Sequence, residues 1–179
     1  MGRHVGWIAL HAGMAGGAHY IVIPEAPFDI AEITKAMERR FQLGEKYGII
    51  VVAEGALSKE EALMDKKTFK KSRLKMPQSI GYRVAHELEE ATGLESRVTV
   101  LGYLQRGGTP SPYDRALATE FGVAATEFIV NGRFGNLVAM QNNKITAIPL
   151  KDAAGKIKNI PADHPLLETA RAVGMSFGD

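Results

Sequence analysis

The sequence predicts an α/β fold with a mostly parallel sheet. A helical pattern over residues 5–14 is followed by a short apolar strand pattern at residues 20–23. After a second helical pattern, residues 48–53 form a continuous apolar run rich in β-branched side chains, which is typical of a strand buried on both faces. Helices that alternate with buried strands are characteristic of parallel α/β layers.

Three longer helices are predicted from apolar residues that recur on one helical face. The inner positions of the first, which ends near Gly44, are Ile30, Ile33, Met37 and Phe41. Those of the second, which begins at Gln78 and ends at Gly93, are Ile80, Val84, Leu88 and Ala91. Those of the third, which runs from about Pro112 to Asn131-Gly132, are Leu117, Phe121, Ala124 and Phe128.

The remaining segments are predicted as follows. Asn142-Asn143 favours a tight turn between strands at residues 137–141 and 144–149, and a last helix is expected at residues 166–173. Residues 58–77 are rich in lysine and lack apolar periodicity, so we expect an exposed insertion in the form of a solvated loop or a loose helix. The acidic residues Glu60, Glu61 and Asp65 stand just before these lysines.

Composition sets broad limits on the class of protein. A chain of 179 residues with 45% hydrophobic content can bury a proper core. We expect one α/β lobe over residues 1–150 and a tail with a short helix over residues 151–179. The net charge of +2 does not indicate a nucleic-acid partner, and the absence of cysteine fits a cytoplasmic protein. No apolar run approaches the roughly 20 residues that span a bilayer, so we expect no membrane partner.

The stretch over residues 97–115 is the most informative part of the chain. Val98, Val100 and Leu101 suit a buried strand that Arg97 opens, and Arg106 stands directly before Gly107 and Gly108. Ser111 is a plausible N-cap, and Pro112 is a good first helical residue. A phosphate there would meet a guanidinium and the positive end of a helix. An ordinary strand, turn and helix, with arginines that are solvated or paired with Glu95 or Asp114, fits the same residues.

Four segments resemble motifs of the phosphofructokinases, in the same order. LGYLQRGGTPSPYDRALAT is similar to the family's sugar-phosphate segment, and MGRHVGWIALHAGMA is similar to its Met-Gly-Arg motif and the helix after it. IVIPEAPFD resembles a Pro-Glu strand end, and GIIVVAEGA resembles the strand that ends in a substrate-contacting Glu. The resemblance runs from residue 1 to about residue 140. It covers only the later half of such an enzyme, because the family's donor cradle and catalytic Asp loop precede the Met-Gly-Arg motif.

The resemblance implies a fold, an activity and a set of partners. It implies a three-layer sandwich like the family's sugar-phosphate lobe, with a C-terminal tail that returns toward the first lobe. The enzyme transfers a phosphoryl group from ATP or pyrophosphate, with Mg²⁺, to the 1-hydroxyl of fructose 6-phosphate in glycolysis, and it is a homo-oligomer, a dimer or a tetramer. We expect this part alone to bind the sugar phosphate without turnover. The alternative is a non-enzymatic sugar-phosphate-binding or interaction module derived from that lobe.

The family's substrate-binding residues carry over onto matching positions of this sequence. These positions are Met1, Gly2, Arg3, Glu54, Arg97, Tyr103 and Arg106. The resemblance implies that Arg97 reaches a neighbouring subunit's sugar phosphate. Tyr103 replaces the commoner His by a phenol, a neutral hydrogen-bond donor, and this leaves ATP and pyrophosphate both open as donors.

Glu25 and the histidines are candidate ligands of another kind. Glu25 matches a position that helps to hold an effector's metal in bacterial relatives, but we interpret it as a structural carboxylate at a strand end. The five histidines, His4, His11, His19, His86 and His164, show no metal-ligand spacing. We therefore expect no metal site on this chain. The resemblance implies no catalytic residue here either, because the family's catalytic carboxylate belongs to the half that the chain does not match.

Overall fold

Residues 3–74 and 79–179 are described by a computed structural model. Two compact units are formed, one by Met1–Val100 with Lys158–Asp179 and the other by Leu101–Ile157. The first unit contains these helices and strands in order: α1 (Trp7–Ala15), β1 (Tyr20–Val22), α2 (Ile30–Gln42), β2 (Ile50–Val52), α3 (Lys59–Ala62), α4 (Lys66–Leu74), α5 (Ile80–Thr92) and α8 (Pro165–Ala172). The second contains a 3₁₀ turn (Gly102–Arg106), α6 (Pro112–Val130), β3 (Asn136–Gln141), β4 (Lys144–Pro149) and α7 (Leu150–Ala153).

The sheet of the first unit has helices on both faces. Strands β1 and β2 are parallel, with Tyr20 beside Ile50 and Val22 beside Val52. Successive side chains of a strand point to opposite faces. On one face, Ile21 packs with buried residues of α1 and α8, and on the other, Val22 packs with buried residues of α2 and α5. The predicted α/β fold with a parallel sheet is therefore confirmed.

Two strand predictions need correction. Residues 97–101 form no strand, and Val100 and Leu101 are 60% and 49% exposed. No strand in the described ranges pairs with this stretch, so its apolar residues have no sheet to join. The run at 48–53 forms the shorter β2, whose side chains are half-buried because β1 is its single neighbour among the described strands.

The helix predictions agree with the structure in type and position. Asp29 caps α2 by accepting from the N–H of Ala31 at 2.9 Å, and Gly93 ends α5 in the left-handed conformation with φ of 70°. The predicted start of α5 at Gln78 lies outside the described residues. In α6, Ala124 is buried and the other three predicted inner residues are half-buried.

The hairpin of the second unit is confirmed. Strands β3 and β4 are antiparallel, and Gln141 pairs with Lys144 across the turn. Asn142 and Asn143 have φ of 50° and 58°, the left-handed values that a two-residue hairpin turn of type I′ requires. Asparagine tolerates this conformation better than most residues, which explains why the sequence signal was reliable.

Residues 158–179 of the predicted C-terminal tail belong to the first unit and contribute to its core. Ile160, Leu167 and Phe177 are buried in one cluster with Leu10 and Ile21. Backbone hydrogen bonds tie Ser176 to the start of the sheet. The resemblance implied a tail that returns to another lobe, but this tail is packed within its own chain. A domain boundary at residue 150 stays a prediction.

No helix within residues 3–74 and 79–179 combines the length and apolar character needed to cross a membrane.

The start of the sheet depends on a neutral histidine. His19 Nδ1 accepts a hydrogen bond from the backbone N–H of Ile49 at 2.9 Å, which an imidazolium cannot do. Burial and the charge of Arg40 lower the pKa of His19 from its ordinary value of 6.5, although Glu45 opposes them. The unfolded chain then binds the proton more readily than the folded chain, so stability falls as the pH drops below this value.

We expect His19→Gln to weaken this pH dependence, because glutamine offers an oxygen acceptor and does not titrate. Chemical unfolding at pH 8, 6.5 and 5.5 checks it. Equal losses of stability in the two proteins on acidification would show that His19 does not couple protonation to folding.

Candidate functional site

Glu54 lies where ligands of an open α/β sheet usually bind, beyond the carboxyl end of a strand. It follows β2 by two residues, and its Oε1 lies 3.2 Å from Nε of Arg3. The side chains are 79% exposed for Arg3 and 47% for Glu54. An ion pair this exposed is weak, so a sugar hydroxyl can compete for either partner. The predicted residues Met1 and Gly2 lie outside the described residues.

Arg97 belongs to the first unit but makes a local contact there. Its Nε lies 3.1 Å from Oε1 of Glu95, and the two side chains are 87% and 74% exposed. This is one of the pairings that the ordinary interpretation of the stretch predicted. Because such pairs contribute little, the guanidinium remains available to another anion.

Tyr103 and Arg106 lie together in the second unit, on the 3₁₀ turn. The Cζ atom of Arg106 is 5.7 Å from the centroid of the Tyr103 ring, within the range of a cation–π contact. Tyr103 is 85% exposed. The chain then passes through Gly107 and Gly108, and Gly108 has φ of 90°, which side chains other than glycine avoid. The turn thus presents a phenol and a guanidinium to solvent beside an unobstructed backbone.

The start of α6 contributes less to anion binding than the sequence suggests. Ser111 is the N-cap and Pro112 is in the first turn, as predicted. However, Oδ2 of Asp114 accepts from the N–H of Ser111 at 3.1 Å, and Oγ of Ser111 accepts from the N–H of Asp114 at 3.2 Å. Pro112 has no N–H. A carboxylate therefore already lies at this helix end, and a bound phosphate would depend mainly on Arg106.

Glu25 is a structural carboxylate, as interpreted from the sequence. Its two oxygens accept from the N–H of Gly6 at 3.1 and 2.9 Å, and Oε1 also accepts from the N–H of Ile160 at 3.1 Å. Gly6 is the N-cap residue of α1. Glu25 therefore joins the start of α1 to the C-terminal tail, and these contacts occupy the oxygens that a metal would need.

The described part of the chain brings no three His, Asp or Glu side chains together in a group suited to a metal ion. Two histidines act as acceptors for backbone amides instead. His19 binds the N–H of Ile49, and Nδ1 of His164 accepts from the N–H of Leu166 at 3.2 Å at the start of α8. We therefore assign no step to Mg²⁺ on these residues.

One cluster close to Glu54 was not predicted. Glu61, expected in an exposed segment, is 5% exposed and forms ion pairs with Arg73 and Arg83. Burial of Glu61 acts to raise its pKa. Hydrogen bonds from Arg83 and Ser58, together with the charges of Arg83 and Arg73, outweigh this effect and hold the pKa below its ordinary value. The sequence contained one usable signal, a Ser58-x-x-Glu61 capping box, which the structure forms.

Comparison with known proteins agrees with these motifs. The sequence profile of the family described as "Phosphofructokinase" matches residues 1–129. The chain is 57% identical to an ATP-dependent 6-phosphofructokinase of Spirochaeta thermophila over its whole length and 49% of that protein. It is 54% identical to one of Corynebacterium efficiens, over 92% of this chain and 48% of that protein. The chain spans about half the length of the curated relatives it matches.

Solved structures show the same relationship. Phosphofructokinase from Saccharomyces cerevisiae matches with a TM-score of 0.62 and 35% identity, over 86% of this chain and 19% of that one. A pyrophosphate-dependent phosphofructokinase from Marinobacter aquaeolei matches with a TM-score of 0.66 and 25% identity, over 90% of this chain and 40% of that one. On the sequence profile, the curated relatives and the fold, this chain belongs to the phosphofructokinase family.

Proposed function

We propose that this chain is the fructose 6-phosphate-binding part of a 6-phosphofructokinase, which transfers a phosphoryl group to the 1-hydroxyl of that sugar. The observation that carries the proposal is the match, across the whole chain, with a relative named ATP-dependent 6-phosphofructokinase. The curated relatives reported above favour ATP over pyrophosphate as the donor. Mg²⁺ would accompany the donor in the whole protein, which we place in the cytoplasm.

Each proposed contact follows from the chemistry of the side chain. Arg106 offers a planar guanidinium whose N–H groups match the oxygens of a phosphate, and Tyr103 adds one neutral donor. Glu54 accepts hydrogen bonds from sugar hydroxyls, and Arg3 forms a weak, exposed ion pair with its carboxylate. Arg97 would serve a neighbouring copy's sugar phosphate. Met1 and Gly2 complete the proposed set.

The binding prediction concerns Arg106. We expect the chain to bind fructose 6-phosphate more tightly than glucose 6-phosphate, and we expect Arg106→Ala to lower the affinity at least about tenfold through loss of charge-assisted hydrogen bonds. Calorimetric titration measures both affinities. Arg39→Ala, which removes an exposed guanidinium from α2, is the matched control. Equal weakening by the two variants would point to general electrostatic attraction, and a folded chain without affinity for the sugar would contradict the proposed function.

A further prediction concerns turnover. Phosphoryl transfer requires donor, metal and attacking hydroxyl to be held together, and the resemblance places the donor cradle and the catalytic Asp loop among motifs that these 179 residues do not match. We therefore expect the purified chain to form no fructose 1,6-bisphosphate from fructose 6-phosphate with either ATP or pyrophosphate. A coupled assay for that product checks this, and clear turnover by the chain alone would contradict it.

We also propose that the protein is a homo-oligomer, either a dimer or a tetramer. Large apolar side chains of the second unit are exposed, among them Leu104 at 72%, Val130 at 79% and Phe134 at 73%. Exposed apolar surface of this kind favours association with another protein surface.

A further inference from the structure

The connection between β2 and α3, residues 53–58, carries Glu54 and is fixed by a side chain from farther along the chain. Ala56 is fully buried, and its N–H donates to the carbonyl of Ala53 at 3.0 Å. The carbonyl of Ala56 accepts a hydrogen bond from Nη2 of Arg73, which lies on α4. Backbone and side chain together therefore hold Ala56, two residues after Glu54.

Arg73 is in turn held by a carboxylate with little freedom. Its Nη2 lies 3.1 Å from Oε2 of Glu61, whose side chain is 4% exposed. The Glu61 oxygens also accept from Nη1 and Nη2 of Arg83 at 2.8 and 2.9 Å and from the N–H of Ser58 at 3.1 Å. With this many charge-assisted hydrogen bonds, the position of the carboxylate is determined. Arg73 therefore extends a rigid cluster to the connection.

The charges in the cluster explain why the Ala56 carbonyl is needed. The buried Glu61 carboxylate faces the two guanidiniums of Arg73 and Arg83, whose side chains are only 22% and 19% exposed. Among the described residues, only Arg83 has a second carboxylate, Glu87, within 4 Å. Arg83 also lies over the ring of Phe28, 5.7 Å from its centroid. Arg73 needs a further acceptor in place of lost water, and the Ala56 carbonyl supplies it. Both hydrogen bonds of Arg73 come from the one nitrogen Nη2, whose N–H groups are fixed in the plane of the guanidinium, whereas the N–H groups of a lysine ammonium point in tetrahedral directions from a flexible chain.

We propose that Arg73, fixed by Glu61, is a positioning residue that holds the connection after β2 and thereby sets the place of the Glu54 carboxylate. This rests on the proposed function insofar as Glu54 is taken to contact the sugar. The side chains of α4 are divided between a solvent-exposed face and a face that packs against the protein. Lys66, Lys67, Lys70 and Lys71 are exposed, whereas Arg73 points inward.

The test has one arm that needs no ligand. In Arg73→Met and the milder Arg73→Lys, we expect the N–H of Ala56 to exchange with solvent hydrogen at least about tenfold faster than in the unchanged chain. The N–H of Ala53, which donates to the Val22 carbonyl in the sheet, should keep its exchange rate. Hydrogen exchange followed by NMR resolves the two amides.

The second arm measures affinity. Calorimetry with fructose 6-phosphate should show at least about tenfold weaker binding to Arg73→Met and an intermediate effect of Arg73→Lys. Lys71→Met removes a charge from the exposed face of α4 and should leave both readouts unchanged. Leu88→Ala, in the core against Val84, separates positioning from general destabilisation, because it should lower stability without changing the affinity.

The outcomes distinguish the two proposals. Normal Ala56 exchange in both Arg73 variants would overturn the positioning role, whatever the ligand result. If the Ala56 N–H exchanges faster in the Arg73 variants but the unchanged chain binds no fructose 6-phosphate, the positioning role is supported and the proposed function is contradicted. Unchanged affinity alongside faster exchange would overturn the inference that the connection sets the place of Glu54.

Discussion

Replacing Glu61 by alanine is expected to lower the free energy of unfolding of the first unit by about 3–5 kcal/mol. Glu61 is 5% exposed, and its removal takes away the buried counter-charge that Arg73 and Arg83 share, although Arg83 keeps a longer contact with Glu87 at 3.5 Å. It also removes the capping box that Glu61 forms with Ser58 at the start of α3. Chemical unfolding followed by the fluorescence of Trp7, the single tryptophan, measures the loss in this unit.

The neighbouring Glu60 provides the matched control, because it is exposed and lies on the same short helix. Glu60→Ala should cause only a small change. A second check uses pH: the pKa of Glu61 is below its ordinary value in the fold, so its stabilisation is present at neutral pH and is lost as the pH falls toward the folded pKa. The difference between the unchanged chain and Glu61→Gln should therefore hold from pH 7 down to the ordinary value of 4.5 and shrink as the pH falls further. A difference that stays constant below this value, or equal losses in both alanine variants, would contradict a buried charged cluster.

The sequence identified the parts of the fold that are fixed by local chemistry. Ser111 caps α6, Gly93 ends α5 and Asn142-Asn143 turns the hairpin, and each of these depends on residues within a few positions. The apolar faces of α2 and α5 could also be predicted, because burial against one sheet face imposes the helical period. The exception is Ala91, which was predicted on the inner face of α5 and is exposed.

Features that depend on residues distant in the sequence could not be predicted from the local pattern. Glu61 is buried because arginines 12 and 22 positions later pair with it, and in a lysine-rich segment a carboxylate is more often solvated. Residues 97–101 have the composition of a strand, but a strand also requires a neighbour to satisfy its backbone. Both differences arise from tertiary pairing rather than from local preference.

The candidate site shows the same division. Arg106 beside Gly107 and Gly108 was recognisable as an exposed guanidinium next to a permissive backbone, and the structure places it on an exposed turn. The capping box of Asp114 was not anticipated, and it shifts the expected phosphate contact from the helix end to the guanidinium. The connection that carries Glu54 depends on Arg73, which the sequence places in a segment that looks like an exposed insertion.

Replacing Phe177 by alanine is expected to lower the free energy of unfolding by about 3–5 kcal/mol, as much as the replacement of Glu61. Phe177 is fully buried in the cluster that contains Leu10, Ile21 and Ala170. Removal of the ring leaves a cavity between the tail and the sheet, and surrounding side chains can fill it only in part. Trp7 lies against the same cluster, so its fluorescence reports the transition directly.

Val173→Ala is the control on the same tail, since Val173 is 65% exposed and should change the stability by no more than about 0.5 kcal/mol. The comparison decides whether the last 22 residues, Lys158–Asp179, are part of the folded first unit or an appendage to it. If Phe177→Ala is as stable as Val173→Ala, the tail does not contribute to the core. A large loss in Phe177→Ala alone would mean that the tail is needed to keep β1 folded. Because β1 pairs with β2, which precedes Glu54, any shortened version of this chain would have to retain the tail.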